Sequence, residues 1–229
     1  MYRNKVIKLS ETNFQQFKEK EQTNLIDKRT VARSTLSRVP MYISLIAGLP
    51  PNKENISATQ IAKSLNLGDV LVRKDLAQIC GKGKPKVGYV TKELLESLHS
   101  LLECKSGNAV IIGAGKIGKA LLDYNGFEEF NISILAAFDI NAKTDEKSST
   151  GKPIYNLDYL DKFCTQNGVN IGIIAVPSAA AQNACDALCK NNVKGILSFE
   201  TTRLEVPDDV TIEYENIATS LAHLKMKSI

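Results

Sequence analysis

The hydrophobic pattern of the first half of the chain predicts a small helical domain. Leu36, Val39, Ile43 and Ile46 recur at intervals of three or four residues, which places them on one helical face. Pro40 lies inside this run, so it either begins a helix or kinks one.

Two short helices separated by a glycine are predicted next. Ser57 is a suitable N-cap for a first helix that ends near Asn66, and a second helix is predicted from Asp69 to about Ile79. A helix, a tight turn that contains Gly68 and a second helix make the helix-turn-helix arrangement. The buried face of the second helix is expected to carry Val72, Leu76 and Ile79.

A basic, turn-rich loop follows the second helix. In "CGKGKPKVGYV", lysines alternate with glycine and proline before a short β-like segment. This pattern indicates a wing beside the two helices. Another amphipathic helix is predicted over 91–103, with Thr91 as its cap.

The second half of the chain alternates short apolar runs with helical stretches. The apolar runs are nearly continuous, as in strands that are buried on both faces of a sheet. The alternation predicts a parallel, doubly wound sheet. The predicted strands are 109–112, 132–138, 171–176, 195–199 and one near 210–216.

A glycine-rich loop joins the first of these strands to its helix. Because "GAGKIG" fits G-x-G-x-x-G between a buried strand and a helix, it predicts a dinucleotide site. Gly113 would permit the tight turn, Gly115 the approach of a pyrophosphate, and Gly118 the packing of helix on strand. The predicted loop residues are Gly113, Ala114, Gly115, Lys116, Ile117 and Gly118.

Asp139 ends the next predicted strand, about 20 residues after the glycine loop, where an acid binds the adenosine ribose. A carboxylate there repels a 2′-phosphate, so we expect NAD⁺ and NADH rather than the NADP forms. The alternative is a glycine-rich turn of an α/β domain that binds no ligand. The agreement of strand, loop, helix and acid favours nucleotide binding.

Basic residues cluster in the helix-turn-helix region, although the formal net charge of the chain is only +4. A recognition helix in the major groove would bring Arg73 or Lys74 to base edges, and wing lysines would meet phosphates. Asp69 and Asp75 are expected to offset part of this charge. The alternative is a solvated basic face. The predicted DNA-binding residues are Arg73, Lys74, Lys82, Lys84 and Lys86.

Catalytic and metal-binding residues are not evident. His99 precedes the glycine loop and His223 lies near the C-terminus, so neither is a clear proton donor beside a nicotinamide. The five cysteines form no C-x-x-C pair. Cys185 and Cys189 could share a helix face, but buried thiols in a reducing compartment are the simpler interpretation. We predict a binding protein rather than an enzyme, with no metal.

No apolar run approaches the about 20 residues of a membrane span. Met1 is followed by a polar stretch rather than by the apolar core of a secretory signal. We therefore expect a cytoplasmic protein without a membrane partner.

These features together resemble the Rex family of redox-sensing transcriptional repressors. The resemblance covers about 28–217 and rests on "SRVPMY", "VRKDL", "GKPKVGY", "GAGKIGKALLDY", "AAFDIN", "GKPIYNLDYL" and "AVPSAAAQ", in this order. It implies a winged-helix domain, a Rossmann-type domain and a homodimer with C-terminal helices packed across the interface. Family members bind operator DNA when NADH is low, and NADH closes the dimer and releases the DNA.

The resemblance also implies roles for single residues. Tyr124, Val176 and Pro177 would lie toward the nicotinamide, as would the segment "SFETTRL", which differs from the family's "NFAPVRL". Arg38 matches an arginine that contacts an aspartate of another domain in the family, but Ala218 stands where that aspartate is expected.

The predicted fold is α/β: a winged-helix (helix-turn-helix) domain, then a Rossmann-type doubly wound parallel sheet and a C-terminal helix. The alternative function is a small NAD- or CoA-binding oxidoreductase or ligase subunit with a helical N-terminal assembly domain. The predicted boundaries are a polar extension (1–27), the winged-helix domain (28–103), a linker (104–108), the NAD(H)-binding domain (109–216) and a dimerisation helix (217–229).

Overall fold

The computed structural model describes residues 31–102 and 107–228. The chain divides into an N-terminal unit up to residue 104 and a C-terminal unit from residue 105. The predicted extension at 1–27 and most of the predicted linker lie outside the described residues.

The N-terminal unit packs short helices around a small apolar core. Pro40 lies in the first turn of the second helix, where its missing N–H needs no partner, so it begins that helix rather than kinking it. The elements are α1 (Arg33–Leu36), α2 (Val39–Ala47), β1 (Asn55–Ile56), α3 (Ala58–Leu65), α4 (Asp69–Cys80), β2 (Tyr89–Val90) and α5 (Thr91–Ser100).

The helix-turn-helix prediction is confirmed for α3 and α4. Ser57 and Gln60 form a reciprocal capping box at the start of α3, and Asn66 ends the helix in the left-handed conformation. Val72, Leu76 and Ile79 are buried along α4, as predicted. Asp75 is buried beside them, and the exposed residues of α4 are Val70, Leu71, Arg73, Lys74 and Ala77.

The wing is a hairpin tied to a strand that the sequence pattern did not reveal. β1 pairs antiparallel with β2. Gly88 has φ +91°, and a Cβ at this position would overlap the carbonyl of Ile56, so only glycine fits between wing and strand. The prediction of Thr91 as a cap is wrong, because its hydroxyl donates to the carbonyl of Lys53 at 2.7 Å.

The C-terminal unit is a six-stranded parallel sheet in the order β5-β4-β3-β6-β7-β8. The strand order reverses between β3 and β6, which is the doubly wound arrangement that was predicted. The strands are β3 (Gly107–Ile112), β4 (Ile132–Asp139), β5 (Ile154–Asn156), β6 (Ile171–Ile174), β7 (Gly195–Ser198) and β8 (Thr211–Tyr214). The helices are α6 (Lys116–Asp123), α7 (Leu160–Asn167), α8 (Ser178–Lys190) and α9 (Ile217–Lys227).

Both faces of the sheet are covered, which explains the continuous apolar runs. Val110 and Ile112 face the core shared with Leu188, whereas Ile111 faces the opposite core with Leu122. None of the described helices is long and apolar enough to cross a membrane.

Candidate functional site

The first candidate site is the crevice at the carboxyl ends of β3 and β6, where the strand order reverses. Gly113 leaves β3 with φ +102°, and its N–H donates to the carbonyl of Phe138 at 2.7 Å. A Cβ on Gly113 would lie 2.5 Å from the carbonyl oxygen of Ala175 and 2.8 Å from Val176 Cγ1. The turn therefore requires glycine, and it brings Val176 beside the loop.

The other two glycines play different parts. A Cβ on Gly118 would overlap the carbonyl oxygen of Gly113, so this position holds α6 tightly against the loop. A Cβ on Gly115 would meet no atom within 4 Å, so the loop is open at that point. Backbone N–H groups at the first turn of α6 and an open approach at Gly115 fit a pyrophosphate. Lys116 and Ile117 are exposed on the same turn.

Asp139 is held beside the glycine loop by two hydrogen bonds. Its carboxylate accepts from the N–H of Ala114 at 2.8 Å and from the N–H of Asn141 at 2.8 Å. The acid and the loop thus lie together at the ends of β3 and β4. That arrangement can serve a ribose, and the role of Asp139 toward a nucleotide stays a prediction.

Of the residues expected near a nicotinamide, Val176 and Pro177 lie beside the crevice, whereas Tyr124 does not. Val176 and Pro177 follow β6 and lead into α8, beside the crevice. Tyr124 follows α6 at the end far from the glycine loop, about 12 Å along an eight-residue helix. Its ring contacts Phe127 edge-on, with centroids 5.2 Å apart. Within one chain, Tyr124 therefore does not line the crevice.

A carboxylate of the segment "SFETTRL" lies on the β6–β7 side. Ser178, the first residue of α8, donates its hydroxyl hydrogen to Glu200 Oε2 at 2.5 Å. The backbone N–H of Glu200 donates to the buried Ser198 Oγ at 3.2 Å. Ser178 and Glu200 are 22 residues apart and lie in two separate segments of the sequence, so only the packing of β6 beside β7 reveals the pair.

The second candidate site is the exposed face of α4. Arg73 is largely exposed, forms an ion pair with Asp69 at 2.7 Å and donates to Thr59 Oγ1 at 2.9 Å. The hydrogen bond from Arg73, followed by that from Thr59, lowers the pKa of Asp69. Lys74 is exposed beside them, and Val70 is 78% exposed one turn earlier. An arginine, a lysine and an apolar side chain on one helix face suit the edges of DNA bases.

Asp75 does not offset the basic charge of this face, so that prediction is wrong. Its side chain is 2% exposed and accepts hydrogen bonds from Arg38 at 2.6 and 2.8 Å, from Tyr42 at 2.6 Å and from Thr35 at 2.9 Å. These contacts of Arg38 lie inside the N-terminal unit. An interdomain role for Arg38 stays a prediction.

The wing presents its lysines from a closed hairpin. Lys84 and Gly88 exchange backbone hydrogen bonds at 2.8 Å in both directions, and Lys86 adopts φ +64° in the turn between them. Lys82, Lys84 and Lys86 are exposed, and no ion pair between described residues involves them. Their charge is therefore free to meet phosphates.

Cys185, one of the two cysteines expected to share a helix face, is buried on α8. Burial, reinforced by the neighbouring Cys189, raises the pKa of the Cys185 thiol to about 12, so it stays protonated and unreactive. In the described parts of the chain, no group of three or more histidine, cysteine or acidic side chains could hold a metal ion.

Two family models match the chain. The model described as "Putative DNA-binding protein N-terminus" matches residues 30–77, and the model described as "CoA binding domain" matches residues 104–202. The first match contains α3 and most of α4, and the second contains the glycine crevice.

The chain is similar over most of its length to proteins named redox-sensing transcriptional repressor Rex. The protein of Lactobacillus acidophilus is 32% identical, with 87% of this chain and 95% of the relative covered. The protein of Treponema denticola is 35% identical, with 86% of this chain and 95% of the relative covered.

Solved structures of a Rex-family repressor named RSP have a similar fold. The complex of RSP with β-NAD⁺ and operator DNA matches with a TM-score of 0.75 at 28% identity, covering 86% of this chain and 92% of that chain. The complex with β-NADH matches with a TM-score of 0.74, covering 86% of this chain and 94% of that chain.

Proposed function

The chain belongs to the Rex family of redox-sensing transcriptional repressors, and from this premise we propose that it binds operator DNA and releases it when NADH occupies the crevice. The observation that carries the proposal is the presence, on one chain, of an exposed basic recognition helix and a glycine crevice open at Gly115. Because RSP is described with both nucleotides and with operator DNA, the same ligands are the ones to test.

The crevice residues fit NAD⁺ and NADH. The open position at Gly115 and the first-turn N–H groups of α6 would receive the pyrophosphate, and Asp139 the adenosine ribose. If NADH and DNA favour different arrangements of the dimer, each must weaken the binding of the other by the same factor. A coupling of about 1–3 kcal/mol would change affinity roughly 5- to 150-fold.

We propose that Arg73 and Lys74 bind in the major groove and that Lys82, Lys84 and Lys86 bind phosphates. We also propose that the chain catalyses no reaction and acts in the cytoplasm. The support is that its relatives are named as transcriptional repressors.

Electrophoretic mobility shifts on a duplex selected by the protein from a random-sequence pool test this function. We expect NADH to release the duplex at a lower concentration than NAD⁺ does. The double variant Arg73→Ala/Lys74→Ala should bind the duplex about 10- to 100-fold more weakly, because it loses base and phosphate contacts. Its affinity for NADH should be that of the wild type.

Lys92→Ala serves as the matched control, because Lys92 is an exposed lysine on α5 outside the helix-turn-helix. The redox-sensor function would be refuted if NADH released the duplex no better than NAD⁺. Full DNA binding by the double variant would refute the assignment of α4.

A homodimer is proposed from α9. The helix has no buried residue in the single chain, and Ile217, Leu221 and Leu224 form an exposed apolar stripe on it. We expect Leu221→Glu/Leu224→Glu to turn a dimer into a monomer in sedimentation experiments and to reduce operator affinity. The control His223→Glu, on another side of the helix, should leave the dimer intact.

A two-fold dimer also predicts a pseudo-palindromic operator with half-sites about one or two helical turns apart.

The match to a CoA-binding family model supports one alternative function, that of a CoA-binding enzyme subunit. Competition between CoA and NADH for the crevice distinguishes this alternative from the NADH-responsive repressor. CoA that displaces NADH at equal concentration would favour the enzyme subunit, whereas CoA without effect would favour the sensor.

A further inference from the structure

The crevice carries an acidic side chain at each end. Asp139 lies at the carboxyl end of β4, on one side of the glycine loop. Glu200 lies just beyond the carboxyl end of β7, on the other side, where Ser178 holds its carboxylate. A dinucleotide that crosses the switch point with its adenosine half at Asp139 places its second half over β6 and β7.

We propose that Glu200 sets the preference between oxidised and reduced nicotinamide by favouring the cationic ring of NAD⁺. This inference rests on the proposed function. The ring of NAD⁺ carries a positive charge and the ring of NADH carries none, so a nearby carboxylate attracts only the oxidised form.

Glu200 keeps its charge available for this purpose. No ion pair between described residues neutralises it. Ser178 donates to one carboxylate oxygen and limits its rotation, and the buried Ser198 fixes the backbone beneath it. The carboxylate is thus both charged and positioned, and we infer that it opposes the preference for NADH that an apolar pocket would give. More NADH relative to NAD⁺ would then be needed before the chain releases DNA.

The test compares Glu200→Gln with the wild-type protein. Glutamine retains the shape and an acceptor for Ser178 but removes the charge. We expect the ratio of the Kd for NAD⁺ to the Kd for NADH to rise about fivefold, as one screened charge contact allows. The Kd for ADP-ribose, which lacks the nicotinamide, should not change. Calorimetry gives the Kd for NAD⁺ and ADP-ribose, and nicotinamide fluorescence gives the Kd for NADH.

Two further variants test whether the change in the ratio of the two Kd values arises from the carboxylate of Glu200. Glu129→Gln removes an exposed carboxylate just before β4, at the amino end of that strand and away from the crevice, and should leave the ratio unchanged. Ser178→Ala releases the carboxylate without removing it and should shift the ratio by less than Glu200→Gln.

The outcomes separate this inference from the proposed function. If the wild type binds both nucleotides and Glu200→Gln leaves the ratio unchanged, or changes ADP-ribose binding equally, the role of Glu200 is refuted and the sensor function stands. If the wild type binds neither nucleotide, the sensor function and this inference are both refuted.

Discussion

Replacing Asp75 with alanine is expected to lower the free energy of unfolding of the N-terminal unit by about 3–5 kcal/mol. The carboxylate is buried between α2 and α4 and accepts hydrogen bonds from Arg38, Tyr42 and Thr35. Its removal leaves the guanidinium of Arg38, only 18% exposed, without its partner. A buried charge that loses its partner is costly, whereas an exposed ion pair contributes little.

The effect should appear as faster hydrogen exchange of α2 and α4 in the full-length protein. Asp69→Ala is the control on the same helix, because it breaks an exposed ion pair with Arg73 and should lower the stability much less. An equal decrease in the free energy of unfolding in both variants would show that the hydrogen bonds of Asp75 do not stabilise the N-terminal unit.

Acid should weaken the same network. Burial would raise the pKa of Asp75, but hydrogen bonds from Arg38, Tyr42 and Thr35 outweigh it and hold the pKa below its ordinary value. A lowered carboxyl pKa contributes stability above the unfolded value, near 4, and that stability is lost as the pH falls through the folded value. Asp75→Asn should therefore be less stable at neutral pH and lose less stability on acidification.

Replacing Gly118 with alanine is expected to weaken NADH binding at least about a hundredfold, because the loop must move to relieve the overlap with the Gly113 carbonyl. The variant should still bind operator DNA but no longer release it with NADH. Gly195→Ala is the matched control, because its new Cβ would make only ordinary contacts at 3.8 Å.

Gly115→Ala separates a folding effect from a ligand effect. Because its Cβ would meet no protein atom, the variant should be as stable as the wild type. It should nevertheless bind NADH more weakly, since the added methyl group occupies the approach of the pyrophosphate. Wild-type NADH affinity in both variants would contradict the assignment of the crevice.

Long periodic segments and short motifs allowed the fold to be predicted from the sequence. The apolar face of α4 and the strand, loop and helix around Gly113 carry strong local patterns, and the structure has both. β1 escaped prediction because a two-residue strand is too short to show a period, whereas β2 falls in the β-like segment predicted at the end of the wing.

The side-chain environment was harder to predict than the elements. Asp75 is one charged residue among others in "VRKDL", and its burial depends on a contact with Arg38 that spans 37 residues. Tyr124 closely follows the glycine motif in the sequence, yet the length of α6 separates it from the glycine loop. Glu200 gains a partner only because parallel pairing sets β7 beside β6.

The closed wing has a kinetic consequence. Its turn is already hydrogen-bonded between Lys84 and Gly88 and fixed against β1, so the phosphate contacts proposed for the wing would order three lysine side chains rather than a whole loop. Little conformational freedom is lost, and no folding step delays the encounter. Association should therefore approach the rate at which the basic surface meets DNA, so that promoter occupancy follows a change in the cell's metabolic state without lag.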